Sequence, residues 1–82
     1  MIAVSVRLNG QLATTVGAAR LQLSLPDHAT VAHLVASLAR QYPAAGELAL
    51  RAVPIVDGRH VTPATPLVGV REVALLMPIS GG

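Results

Sequence analysis

Glu72-Val73-Ala74-Leu75-Leu76-Met77-Pro78 is the most apolar stretch of this 82-residue chain. Val73 to Met77 run without a polar side chain, bounded by Arg71-Glu72 ahead and by Pro78 behind. A continuous aliphatic run of strand length predicts a central strand buried on both faces. Its neighbours are legible upstream. Ile2, Val4, Val6 and Leu8 alternate with Ala3, Ser5 and Arg7, the two-residue period of a half-buried strand. Leu21, Leu23 and Leu25 alternate in the same way with Arg20, Gln22 and Ser24, and Pro26 closes that run because it offers no amide hydrogen to a ladder. Asn9-Gly10 and Gly17 punctuate the interval, so a turn or loop is expected there and the two strands should pair as an antiparallel hairpin.

A helix comes next. Thr30 is a capping residue, and Val31, Leu34, Val35 and Leu38 form one apolar stripe at helical spacing. His33, Ser37 and Arg40 are expected on the opposite side. Pro43 should stop the helix near Tyr42, since a residue before proline is biased away from helical angles. Ala44 to Arg51 reads equally as loop or as a short helical turn. Val53 to Val56 suggests a strand, Asp57-Gly58 a tight hairpin turn, and Arg59 to Thr62 a brief return before Pro63 and Pro66. The order is strand, strand, helix, strand, short strand, strand. One helix on one face of a mixed sheet of four to five strands, with the last strand beside the first, is an α+β architecture of the β-grasp, or ubiquitin-like, kind. We expect that domain to span residues 1–78, with 79–82 as a flexible tail.

Composition narrows the chemistry. Eighty-two residues make one domain, and a chain this short hides only about 60–65% of its unfolded surface. Yet 52% of the residues are apolar and Tyr42 is the only aromatic, which is more aliphatic side chain than so small a core can hold. Part of it should form an exposed apolar area of the kind that meets a partner, so a hetero-oligomer is expected. The pI of 10.6 suggests a nucleic-acid binder, but net charge is only +2 and the six arginines are scattered. Backbone phosphates are bound by basic groups acting together, usually with aromatic platforms, and this chain has neither. No apolar run reaches the ~20 residues of a membrane span, and the first residues lack a signal peptide's basic start, so the default expectation is the cytoplasm.

An active site of its own is not expected. There is no cysteine and no lysine, hence no thiolate nucleophile or ligand and no Schiff-base amine. Asp27, Glu47, Asp57 and Glu72 give no sign of pairing, and His28, His33 and His60 lack metal-ligand spacing. There remains Pro78-Ile79-Ser80-Gly81-Gly82. Four residues beyond Pro78 reach about 13 Å when extended, and Gly81 and Gly82, without Cβ atoms, can enter a narrow slot. The group at the tip would be the Gly82 α-carboxylate. It is ionised at neutral pH and a poor electrophile, so it must be activated, as by a partner that uses ATP to form an acyl-adenylate. No cofactor is expected to be bound by this chain itself.

The two strands, the Thr30-Val31-Ala32-His33-Leu34 helix start and the terminal Leu75-Leu76-Met77-Pro78-Ile79-Ser80-Gly81-Gly82 resemble the MoaD/ThiS-type ubiquitin-like sulfur carriers over the whole chain, and within them the small subunit of molybdopterin synthase most. The resemblance implies a non-catalytic carrier subunit. Gly82 would be adenylated by an E1-like adenylyltransferase and converted to a thiocarboxylate fed by a sulfur donor protein, with Gly81 as its slender neighbour. The tail would then enter the large subunit of molybdopterin synthase and pass sulfur to the pterin precursor of the molybdenum cofactor. Pro78, Ile79 and Ser80 would line the partner's channel, and Leu76 and Val61 would join the apolar docking face. Three places depart from the family pattern: Met77 stands for a proline, Val70-Arg71 for Gly-Asp, and Leu12-Ala13 for Leu-Arg. These are expected on partner-facing surface, so they leave open a carrier for thiamine, cysteine or another thio-cofactor. Two other classes remain: a modifier attached to protein lysines through Gly82, and a non-covalent β-grasp interaction module.

Overall fold

The computed structural model describes residues 1–78. Five strands form one sheet: β1 (Ile2–Leu8), β2 (Arg20–Leu25), β3 (Val53–Val56), β4 (Arg59–His60) and β5 (Glu72–Leu76). Their spatial order is β2-β1-β5-β3-β4. β1 pairs antiparallel with β2, and β5 lies parallel to β1 and antiparallel to β3. The last strand therefore sits in the middle, beside the first. Three helices, α1 (Gly10–Val16), α2 (Val31–Gln41) and α3 (Gly46–Arg51), contribute Leu12, Leu34 and Leu48 to the core formed with the strands. α2 is the main one, and the fold is a ubiquitin-like β-grasp.

The interval between β1 and β2 is not a plain loop: it contains α1. Leu12 is fully buried, and Ala13 and Val16 pack against the same core, so the segment has a helical apolar face too short to stand out in sequence. Gly17 ends it in the left-handed region (φ 88°), and the N–H groups of Gly17 and Ala18 both donate to the Ala13 carbonyl. The Leu12 position is thus core and not partner-facing surface. The antiparallel pairing of the flanking strands is as expected.

α2 begins and ends where Thr30 and Pro43 predict. Its first turn is closed by the Thr30 N–H donating to His33 Nδ1 at 2.9 Å, the place a Glu or Gln takes in a capping box. The free amides of Val31 and Ala32 donate to the carbonyls of Thr65 and Pro63, so the segment after β4 serves as a cap. Leu67, fully buried, pins that segment to the core. Ser37 corrects one expectation: it is 5% exposed. The buried stripe of α2 is centred on Leu34 and takes in Ser37, leaving Val35 half-exposed. The ambiguous stretch is helical throughout, as a 3-10 turn at Pro43–Ala45 running into α3. Asp57 (φ 52°) and Gly58 (φ 76°) make the tight turn between β3 and β4 with both central residues left-handed.

β5 also differs from expectation. Val73 and Leu75 point into the core, whereas Glu72, Ala74 and Leu76 face the side of the sheet without helices. Ala74 is only 7% exposed because it is small and lies between Arg7 and Ile55, its partners on the neighbouring strands. Among the described residues no second layer covers it. A run of apolar residues with one alanine in it mimics a strand buried on both faces.

Candidate functional site

Interest centres on the end of β5, where the chain leaves the sheet toward Gly82. The β1–β5 ladder closes at Leu8 opposite Leu75. One residue past β5, the Met77 N–H donates to Asn9 Oδ1 at 2.8 Å, a contact between residues 68 apart in sequence. Asn9 is extended (φ −137°) and precedes α1 at its capping position, yet its side chain makes no bond to the helix. Gly10 turns the chain off the sheet at φ 56°, and a Cβ there would lie 3.8 Å from that of Met77, an ordinary contact. Met77 is half-buried against the core, and Pro78 is exposed. Ile79, Ser80, Gly81 and Gly82 lie outside the described residues.

Two other sequence candidates fall on different sides of the sheet. Leu76 stands opposite Val53, half-buried on the helix-free face. Val61, whose N–H donates to the Pro54 carbonyl, packs against the core on the helix side. The register does not bring these two together. Leu76 shares its face with Val53, Ile55 and Ala74, and beyond them with a charged row in which Glu72 meets Arg7 at 3.5 Å and Arg20 at 3.8 Å. These groups are well exposed, so the row sets the sign of the surface more than it stabilises the fold.

Elsewhere the chemistry is sparse. An apolar groove of about 430 Å³ opens between α2 and α3, lined by residues that include Ala32, Val35, Ala36, Leu50 and Pro54. Leu50 is 77% exposed at its edge, so some of the surplus aliphatic surface is found here. Among the described residues no titratable side chain lines it. Among the described residues no group of three His, Cys, Asp or Glu side chains could hold a metal, and His33 is engaged with Thr30. The Met1 α-amino group lies 2.7 Å from Asp27 and, by hydrogen bond and charge, holds that carboxyl below its usual value. That pair is at the start of β1, some six residues and about 20 Å from the end where β5 exits. No helix of the described residues is long and apolar enough to cross a membrane.

Sequence reasoning picked out the segment after β5 but missed its anchor. Asn9-Gly10 reads as turn punctuation, and only the three-dimensional register shows that the amide of Asn9 faces Met77. A signal was present in Leu12 and Val16, four apart after an Asn, which marks a helix start and so a residue whose backbone carbonyl is taken.

The ThiS family model matches residues 6–82. No curated protein matches the chain in sequence. Among solved structures, SAMP1 from Haloferax volcanii superposes with a TM-score of 0.87 at 20% identity, over 99% of this chain and 100% of that one. A candidate molybdopterin converting factor, subunit 1, from Pyrococcus furiosus gives 0.79 at 17% identity, over 96% and 100%. A ubiquitin from Caldiarchaeum subterraneum gives 0.66 at 16% identity, over 99% and 98%. At such identities the likeness establishes the fold alone.

Proposed function

Because the chain belongs to the ThiS family, we propose that it is a sulfur carrier whose Gly82 carboxylate is activated and converted to a thiocarboxylate. Its acceptor would be the pterin precursor of the molybdenum cofactor, with this chain as the small subunit of molybdopterin synthase. The observation that carries the reading is the family match itself, which runs through Gly81-Gly82 and not only through the folded body. The β-grasp frame supports it, since the segment leading to Gly82 departs from a central strand held on both sides. That acceptor is the one named by a neighbour of the same fold, a candidate molybdopterin converting factor.

The chemistry asks little of this chain beyond a free carboxylate on a slender stalk. A carboxylate oxygen of Gly82 attacks the α-phosphorus of ATP on an E1-like partner, and pyrophosphate leaves. Bisulfide released by a donor protein then attacks the acyl carbon, the C–O bond to AMP breaks, and loss of the sulfur's proton leaves the thiocarboxylate. No step draws on a titratable side chain of the carrier, in keeping with the absence of cysteine and lysine. The large subunit of the synthase would receive the loaded tail, with Pro78, Ile79 and Ser80 in its channel.

A second reading has its own support. It takes its class from other neighbours of the same fold, a small archaeal modifier protein 1 and a ubiquitin: a protein modifier, in which the adenylated Gly82 acyl group is passed to a lysine amine and AMP leaves. Intact mass after incubation with an E1-like enzyme, ATP and a sulfur source separates the two. Exchange of one terminal oxygen for one sulfur supports the carrier. Conjugates to lysine without any sulfur-bearing form support the modifier, and an unchanged mass with an enzyme active on its own carrier overturns both.

A further inference from the structure

We infer that Asn9 is a positioning residue for the C-terminal segment, its side chain standing in for its own backbone carbonyl so that the sheet holds the tail one residue further than β1 itself reaches. The register makes the case. The Ser5 N–H donates to the Arg71 carbonyl, and a parallel ladder advances by two residues at each bond on a strand. Carried along, residue 9 faces residues 75 and 77, so the next acceptor for the Met77 N–H is the carbonyl of Asn9. That carbonyl instead accepts the Ala13 N–H at 3.3 Å, the first bond of α1. The side-chain Oδ1 takes its place at 2.8 Å. This also explains why Asn9, at a helix capping position, leaves the helix uncapped. Gly10 completes the arrangement by turning the backbone away at φ 56° without crowding Met77.

The bond matters because of its place in the chain. Pro78 has no N–H, so the Met77 amide is the last backbone donor that can tie the chain to the sheet before residue 79. Met77, preceding proline, is also biased to extended angles. Together these fix the course of the backbone as far as Pro78. The inference rests on the carrier reading for its purpose, whereas the clamp itself does not.

The test uses the full chain as wild type, Asn9→Ala and Asn9→Asp. Aspartate keeps the acceptor oxygen, and alanine removes it. Amide hydrogen exchange at Met77, read by NMR, should rise about two- to tenfold in Asn9→Ala, the range of one net hydrogen bond. Amides of Val4 and Val6 should exchange as in wild type. In adenylation by an E1-like enzyme, Asn9→Ala should raise KM for the carrier several-fold with kcat little changed, and Asn9→Asp should restore both quantities. Unchanged Met77 exchange in Asn9→Ala overturns the clamp. Raised exchange with unaltered KM overturns the positioning role, as does a failure of Asn9→Asp to rescue. If the wild type is never adenylated, the carrier reading fails and takes the positioning role with it, while Met77 exchange still decides the clamp.

Discussion

Leu75 and Leu76 are chain neighbours with opposite fates, and truncating each to alanine tests the orientation of the central strand. Leu75 is fully buried on the helix side, beside Leu8 and Pro54. Removing its outer carbons loses transfer energy and leaves a void, a combination that costs about 3–5 kcal/mol in enclosed cores. An 82-residue domain has roughly 4–12 kcal/mol in total, so Leu75→Ala should take about a quarter of the margin or more. Leu76 is half-buried on the helix-free face, where no second layer among the described residues encloses a void. Only the transfer of part of a leucine side chain is at stake, about 1 kcal/mol. The gap between the two variants should therefore be at least about 2 kcal/mol, or roughly 8–16 °C in Tm for a domain of this size. Urea titration followed by far-ultraviolet circular dichroism is the suitable assay, because the chain has no tryptophan and Tyr42 is its one aromatic. Equal destabilisation by the two substitutions, or a larger loss at Leu76, would refute the face assignment. Leu76→Ala has a second use: if the helix-free face receives a partner, affinity for that partner falls while the fold persists.

Three more substitutions probe the cap of α2, the β3–β4 turn and the N-terminal ion pair. Leu67→Ala should destabilise by about 2–4 kcal/mol in denaturant titration, because Leu67 is fully buried and pins the segment that caps α2, whereas its neighbour Val68, 66% exposed, should tolerate alanine within about 0.5 kcal/mol. Gly58→Ala should cost about 1–2 kcal/mol by the same titration, all of it from the left-handed angle, since none of the described residues lies within 4 Å of the position its Cβ would take. Asp27→Asn should be less stable than wild type at neutral pH: the Met1 ammonium depresses the folded-state pKa of Asp27, so its stabilising effect is complete above the unfolded value and is lost as pH falls through the folded one. Denaturation midpoints of the two proteins should converge in strong acid, and by high salt as well, given how exposed the pair is.

The elements best legible in sequence are those whose period is uninterrupted. β1 and β2 alternate without a break for seven and six residues, α2 has a full apolar stripe between a threonine and a proline, and Asp57-Gly58 specifies its own turn. α1 is hidden because two turns bury a single leucine fully, too few positions to separate a helical period from a loop. Ser37 shows that polarity is not exposure: its angle on the helix lies within the stripe centred on Leu34. Ala74 misleads in the opposite sense: its size lets neighbouring strands cover it, so apolar composition conceals an alternating strand. Of the candidate site, the exit after β5 is legible from Pro78 and the glycines. The relation of Leu76 to Val61 is not, because it depends on strand register, which a sequence without cross-strand information does not contain.

The topology itself argues for β5 as the root of a presented segment. An edge strand has one ladder, and a pull on its end can peel it off. β5 has two, parallel to β1 on one side and antiparallel to β3 on the other, with Val73 and Leu75 buried beneath. Displacing its end means breaking hydrogen bonds on both sides and exposing core leucine at once. The chain beyond can therefore be bound, bent or chemically altered by a partner without the fold giving way. A segment presented from so firm a base needs a defined point at which holding stops. The ladder with β3 ends opposite Val53 and that with β1 at Leu8, and the amide of Asn9 moves the stopping point one residue on, to the last N–H before Pro78. If that boundary is what a partner enzyme recognises, lengthening the segment between Met77 and Gly82 by one glycine should impair adenylation while thermal stability stays that of wild type. Unimpaired adenylation of the lengthened chain would mean that the exit point carries no positional information.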